Sequence, residues 1–83
     1  MKLDLFIRDW CPWCIKALHT LDQLGFTYEI HDIEKNPSDA ALMVKISNQQ
    51  RVPTLSVNDL VLADFGPEEL INFLKKHKIS PAS

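Results

Sequence analysis

The chain lacks the features that mark most specialised protein classes. It has no surplus of basic residues: nine Lys and Arg stand against eleven Asp and Glu, giving a formal net charge of -2 spread along the chain. That excludes the salt-dependent attraction to phosphate on which nucleic-acid binding rests. No apolar run approaches the ~20 residues of a membrane span, and Met1-Lys2-Leu3-Asp4 places an acid where a secretion signal carries apolar residues. The expected location is the cytoplasm, with neither membrane nor nucleic acid as partner. Internal repeats are absent, and 83 residues leave no length for a second core, since a domain takes roughly 100–150. The chain has only two cysteines, Cys11 and Cys14. In a reducing compartment thiols that pair do so transiently, so this pair reads as chemistry rather than scaffold.

What is present is an ordinary globular composition, with 46% hydrophobic and 24% charged residues. Residues 2–7 alternate apolar and polar before turning wholly apolar, the pattern of a strand with a buried end. From Pro12 to Leu24 the apolar residues Ile15, Leu18, Leu21 and Leu24 recur in a helical pattern closed by Gly25. Thr27 to Ile33 alternates again and reads as a second strand. Asn36 and Pro37 then serve as cap and first residue of a helix carrying Ala40, Ala41, Met43, Val44 and Ile46. The runs Thr54–Val57 and Leu60–Ala63, joined by Asn58-Asp59, predict a hairpin. A last helix opens at Pro67, with Glu68 and Glu69 at its start and Lys75, Lys76, His77 and Lys78 at its end, charges that suit the helix dipole. The order β-α-β-α-β-β-α predicts an α/β domain over residues 1–79. A four-stranded mixed sheet carries helices on both faces, the smallest thioredoxin-like arrangement, and residues 80–83 form a frayed tail.

The cysteines straddle the first strand-to-helix junction. Only a thiolate attacks sulfur, and a free thiol is mostly protonated at neutral pH. A cysteine capping the first helix faces unpaired amide hydrogens and the positive end of the dipole, which in such motifs lowers cysteine pKa to ~3.5–7.5. Cys11 takes that place and Pro12 the first helical position, where a missing N–H is harmless. Cys14 falls one turn on, beside Leu18 and Leu21 on the inward face, as the less exposed sulfur. Cys11 is therefore the expected attacking thiolate and Cys14 the resolving thiol. A zinc site would need two of His19, His31 and His77 as further ligands, and none is spaced as a second ligand pair. The three histidines read as surface residues without a role, and no metal or bound cofactor is expected. Pro53, unlike the prolines at 12, 37 and 67, precedes a strand rather than a helix. Either a cis bond or an ordinary trans proline at a strand's first residue accounts for it.

Trp10-Cys11-Pro12-Trp13-Cys14, then Arg51-Val52-Pro53, within this element order, make the chain resemble the glutaredoxins over essentially its whole length. The resemblance implies a dithiol thiol–disulfide oxidoreductase that reduces protein disulfides and glutathione mixed disulfides, with glutathione as co-substrate. It implies a cis Val52-Pro53 bond lying against the cysteine pair, whose main chain docks an extended thiol substrate. Arg8 matches a Lys or Arg that contacts a glutathione carboxylate, Trp13 stands where the family usually has Tyr and walls the substrate groove, and Arg51 is placed for the second carboxylate. Many members hold the γ-glutamyl end with Gly-Gly, a small residue and an Asp. Here the corresponding stretch is Leu62-Ala63-Asp64-Phe65-Gly66-Pro67, which leaves Asp64 as the candidate contact. Phe65 and Pro67 resemble instead the glutaredoxin-like electron donors of ribonucleotide reductase, which thioredoxin reductase recharges. The expected partners are disulfide-containing or glutathionylated proteins and one of those two reductants, met by a monomer. An iron–sulfur carrier using Cys11 and external thiols is the alternative of another class, against which Pro12 argues, and a purely structural adaptor comes last.

Overall fold

A computed structural model of the chain describes residues 2–81. Its elements run β1 (Leu3–Ile7), α1 (Pro12–Gln23), β2 (Glu29–Asp32), α2 (Pro37–Ser47), β3 (Thr54–Val57), β4 (Leu60–Ala63) and α3 (Pro67–Lys76), the predicted order. The four strands form one sheet in the order β2-β1-β3-β4, with β1 parallel to β2 and antiparallel to β3, and β3 antiparallel to β4. Successive residues of β1 face opposite sides of the sheet. Leu3, Leu5 and Ile7 join Leu21, Leu55, Leu70 and Leu74 in the larger core, against α1 and α3. Phe6 joins Ile33 and Met43 in a smaller core under α2. Leu5 pairs with Leu55 across the two central strands, and both are fully buried. At ~1.5–3 kcal/mol for each large apolar side chain withdrawn from water, this double-sided burial of β1 holds the sheet centre together.

Differences from the sequence-based expectations have plain physical causes. The second strand is shorter than residues 27–33 because it lies at the sheet edge, paired on one side only, and its Ile30 stays exposed. On α1 the buried residues are Cys14, Ala17 and Leu21, while Ile15 and Leu24 are exposed. A strict three-residue spacing slips around a helix of 3.6 residues per turn, so Ile15, Leu18, Leu21 and Leu24 spiral off any single face. Asn36 occupies the cap position of α2 but its side chain makes no capping bond; its carbonyl accepts from the Asp39 and Ala40 amides instead. The last helix ends at Lys76 rather than running on through Lys78, which adopts φ +55. Gly25, at φ +83, lets the Phe26 amide reach the Leu21 carbonyl and ends α1, where a side-chain-bearing residue would be strained. Of the expected tail, Ser80 and Pro81 line an apolar groove with Leu24 and Phe26, and residues 82 and 83 lie outside the described residues.

His31 differs most from its reading as a plain surface residue. Its ring is mostly buried and stacks on Phe6, with Nε2 2.8 Å from Asp4 Oδ1 and Nδ1 3.2 Å from Asp39 Oδ1. Burial opposes its charge, but hydrogen bonds to Asp4 and Asp39 outweigh that and raise its pKa above the usual histidine value.

Candidate functional site

The β1–α1 junction is built to present a sulfur to helix amides. Cys11 is the N-cap of α1 in extended conformation, Pro12 follows at the first helical position, and the Cys14 amide donates to Cys11 Sγ at 3.2 Å. One of the orphan donors at the helix start is thus spent on the sulfur, where the dipole favours negative charge. The preceding turn is closed by the Cys11 amide donating to the Arg8 carbonyl at 3.2 Å. Both thiols are free, and Cys14 is completely buried whereas Cys11 keeps a small exposed surface. Burial, then the hydrogen bond with Cys11, pushes the Cys14 thiol up to about 12; the Arg8 backbone and charge pull the other way. The two sulfurs therefore differ in both access and proton affinity.

Two other segments reach the pair. Val52-Pro53 is joined by a cis peptide bond, so of the two readings left open by the residues the structure has the cis one. Val52 packs against the buried cluster that contains Cys11, Cys14 and Phe65. The Pro53 carbonyl accepts from the Asp64 amide at 2.9 Å, tying this segment to the β4–α3 loop. There Asp64 adopts φ +55 and receives Arg51 Nη1 at 3.0 Å, so two residues expected to hold a ligand hold each other in an exposed ion pair. Trp13 leans on the start of α3: a Cβ on Gly66 would stand 3.1 Å from Trp13 Cζ3. The Lys16 ammonium lies 4.3 Å from the Trp13 ring centroid. Trp13, Asp64, Phe65, Gly66 and Glu69 line a cleft of about 170 Å³. A larger apolar groove, about 420 Å³, lies at the far end of α1 and contains neither cysteine.

Glu34 was not legible as a site residue. Its Oε1 accepts from Trp10 Nε1 at 2.7 Å and its Oε2 lies 3.9 Å from Arg8 Nε, while Lys35 stands 3.7 Å from Asp9. The β2–α2 turn thereby clasps the loop that leads into Cys11. Asp32 shapes that turn, accepting from the Glu34 and Lys35 amides at 2.9 and 3.0 Å, and the Lys35 amide bond foremost holds its carboxyl below the usual range. No local pattern links residues 10 and 34, so only the fold reveals the contact.

Comparison with known proteins agrees with this geometry. The family model described as Glutaredoxin matches residues 3–62. Among solved structures, the glutaredoxin-like protein NrdH-redoxin from Escherichia coli superposes with a TM-score of 0.76 at 20% identity, covering 100% of both chains. A glutaredoxin from Archaeoglobus fulgidus gives 0.76 at 20% identity over 88% of this chain and 85% of the other. The buckwheat glutaredoxin–glutathione complex gives 0.71 at 19% identity over 93% and 71%. A search of curated protein sequences finds no match.

Proposed function

The chain belongs to the glutaredoxin family, and on that premise we propose that it is a dithiol thiol–disulfide oxidoreductase. Cys11 is the nucleophile and Cys14 the resolving thiol. One observation carries this assignment: Cys11 Sγ receives the Cys14 amide at the start of α1, while Cys14 is sealed from solvent with its proton held tightly. The Cys11 thiolate attacks one sulfur of a substrate disulfide, forming a mixed disulfide and expelling the other sulfur as a thiolate. Cys14 then gives up its proton and attacks Cys11 Sγ, which releases the second substrate thiol and leaves Cys11–Cys14 oxidised. Two electrons pass from the cysteine pair to the substrate, and an external reductant restores the dithiol. In the cytoplasm that reductant is glutathione or thioredoxin reductase.

Val52 supplies main-chain contacts to an extended substrate, and the exposed Trp13 walls the groove that receives it. Changing Cys11 to Ser is expected to abolish reduction of both protein disulfides and glutathione mixed disulfides. Changing Cys14 to Ser is expected to abolish only the former, because a mixed disulfide with glutathione is resolved by a second glutathione. Full protein-disulfide turnover by the Cys14→Ser variant would refute the assigned roles.

A second reading concerns the electron source. The Arg51–Asp64 pair and the Trp13 ring against Gly66 occupy the places expected to receive an anionic tripeptide, which favours recharging by thioredoxin reductase. The relative from Escherichia coli, described as having a thioredoxin-like activity profile, supports the same reading. Reduction of the oxidised protein by glutathione, measured against reduction by thioredoxin reductase with NADPH, separates the two.

A further inference from the structure

At the β2 edge of the sheet, the parallel register sets Asp4 directly opposite Glu29. His31, two residues further along β2, points to the same face. From these three residues we infer a binding site for a divalent transition-metal ion, with His31 Nε2, an Asp4 oxygen and a Glu29 oxygen as ligands. Their ligand atoms lie within 4.8 Å of one another. Nε2 is 2.8 Å from Asp4 Oδ1 and 3.6 Å from Glu29 Oε2, so a small rotation of each side chain brings all three around one ion. The other ring nitrogen is already committed: Asp39, from the first turn of α2, sits 3.2 Å from Nδ1. A carboxylate on the far nitrogen fixes the tautomer and orientation of an imidazole that ligates through the near one. The Phe6 ring, stacked on the imidazole with centroids 4.8 Å apart, backs its plane.

Charge points the same way. Three carboxylates, from Asp4, Glu29 and Asp39, surround the His31 ring, and the Lys2 ammonium lies 2.6 Å from Glu29 Oε2 and 3.6 Å from Asp4 Oδ1. A dication bound among them offsets the excess of carboxylate charge. The mixed nitrogen and oxygen donors suit Zn²⁺, Co²⁺ or Ni²⁺ rather than Ca²⁺ or Mg²⁺. Lys2 is exposed, and it competes with the ion for the same oxygens.

The test is a Co²⁺ and Zn²⁺ titration of the untagged protein with Cys11 and Cys14 oxidised to a disulfide, followed by calorimetry and by visible absorbance for Co²⁺. Oxidation removes the thiolates as competing ligands, so the outcome does not depend on the redox reading. One ion per chain is expected. Glu29→Gln, a change at an exposed edge position, and His31→Gln should each weaken binding tenfold or more, Asp39→Asn by about 10–100-fold, and Lys2→Met should tighten it. Circular dichroism verifies that each variant is folded. Binding no tighter than millimolar, or binding that Glu29→Gln and His31→Gln leave unchanged, overturns the assignment.

Discussion

Cys14 should be close to unreactive in the folded, reduced protein, and the size of the effect follows from its surroundings. Its thiol is raised from 9.0 to about 12, chiefly because the folded chain removes it from water. At pH values well below 9 this leaves about a thousandfold less thiolate than a free thiol carries. Iodoacetamide reacts with thiolate, so at pH 8 Cys14 should be alkylated about a thousandfold more slowly than a peptide cysteine, while Cys11 is labelled first. The Cys11→Ala variant isolates the second sulfur. It removes the hydrogen bond to Cys11, the second cause of the shift, but leaves burial, the first. The midpoint of its pH–rate profile should therefore fall below 12 yet stay well above that of a free thiol. Mass spectrometry of the labelled protein over pH 7–11 reads both quantities. Labelling of Cys14 at the rate of the unfolded chain, or ahead of Cys11, would refute the reasoning. The same shift has a stability consequence. The folded-state pKa exceeds the unfolded one, so the reduced protein loses stability as pH rises from about 9 towards 12, whereas the disulfide form, with no thiol to ionise, does not.

Leu21→Ala, at a fully buried position between α1 and the sheet, should cost about 2–5 kcal/mol, measured by urea denaturation. The His31 bridge contributes stability that is fully present below the unfolded histidine pKa, about 6.5, and is lost as pH rises through the raised folded value. The stability gap between the wild type and His31→Gln, measured with a chelator present, should therefore shrink from pH 6 to pH 9. Gly66→Ala puts a methyl 3.1 Å from the Trp13 ring without backbone strain at φ -104, so stability should change by no more than about 1 kcal/mol while tryptophan fluorescence and KM for a disulfide substrate shift. Arg51→Ala breaks an exposed ion pair and should cost less than about 1 kcal/mol by the same denaturation assay.

Much of the architecture was written in short-range signals. Prolines 12, 37 and 67 each open a helix, Gly25 closes one, and Asn58-Asp59 turns the hairpin, with Asn58 at φ +56. Each of these signals depends only on the backbone preferences of the residue and its neighbours, which is why the element order and the hairpin bounds could be read from the chain. The placement of Cys11 at a helix start follows from the same local logic. The family motif around it adds the cis state of Val52-Pro53, which residue chemistry alone left undecided.

Other features had no such local signature. Which face of α1 is buried depends on how the helix lies on the sheet, so Ile15 could not be told from Ala17 by spacing. Glu34 on Trp10, Asp64 on Arg51 and Asp4 on His31 join residues 24, 13 and 27 positions apart, on different elements in each case. Charged and aromatic side chains at those positions look like ordinary surface composition until strand register and loop packing bring them within hydrogen-bonding distance. The order of the elements and the sulfur at the helix start could be read along the chain, because both rest on steric rules acting over a few residues. Which charges meet beside the Cys11 loop and around His31 emerged from the fold, because an ion pair depends on distance through space and not along the chain.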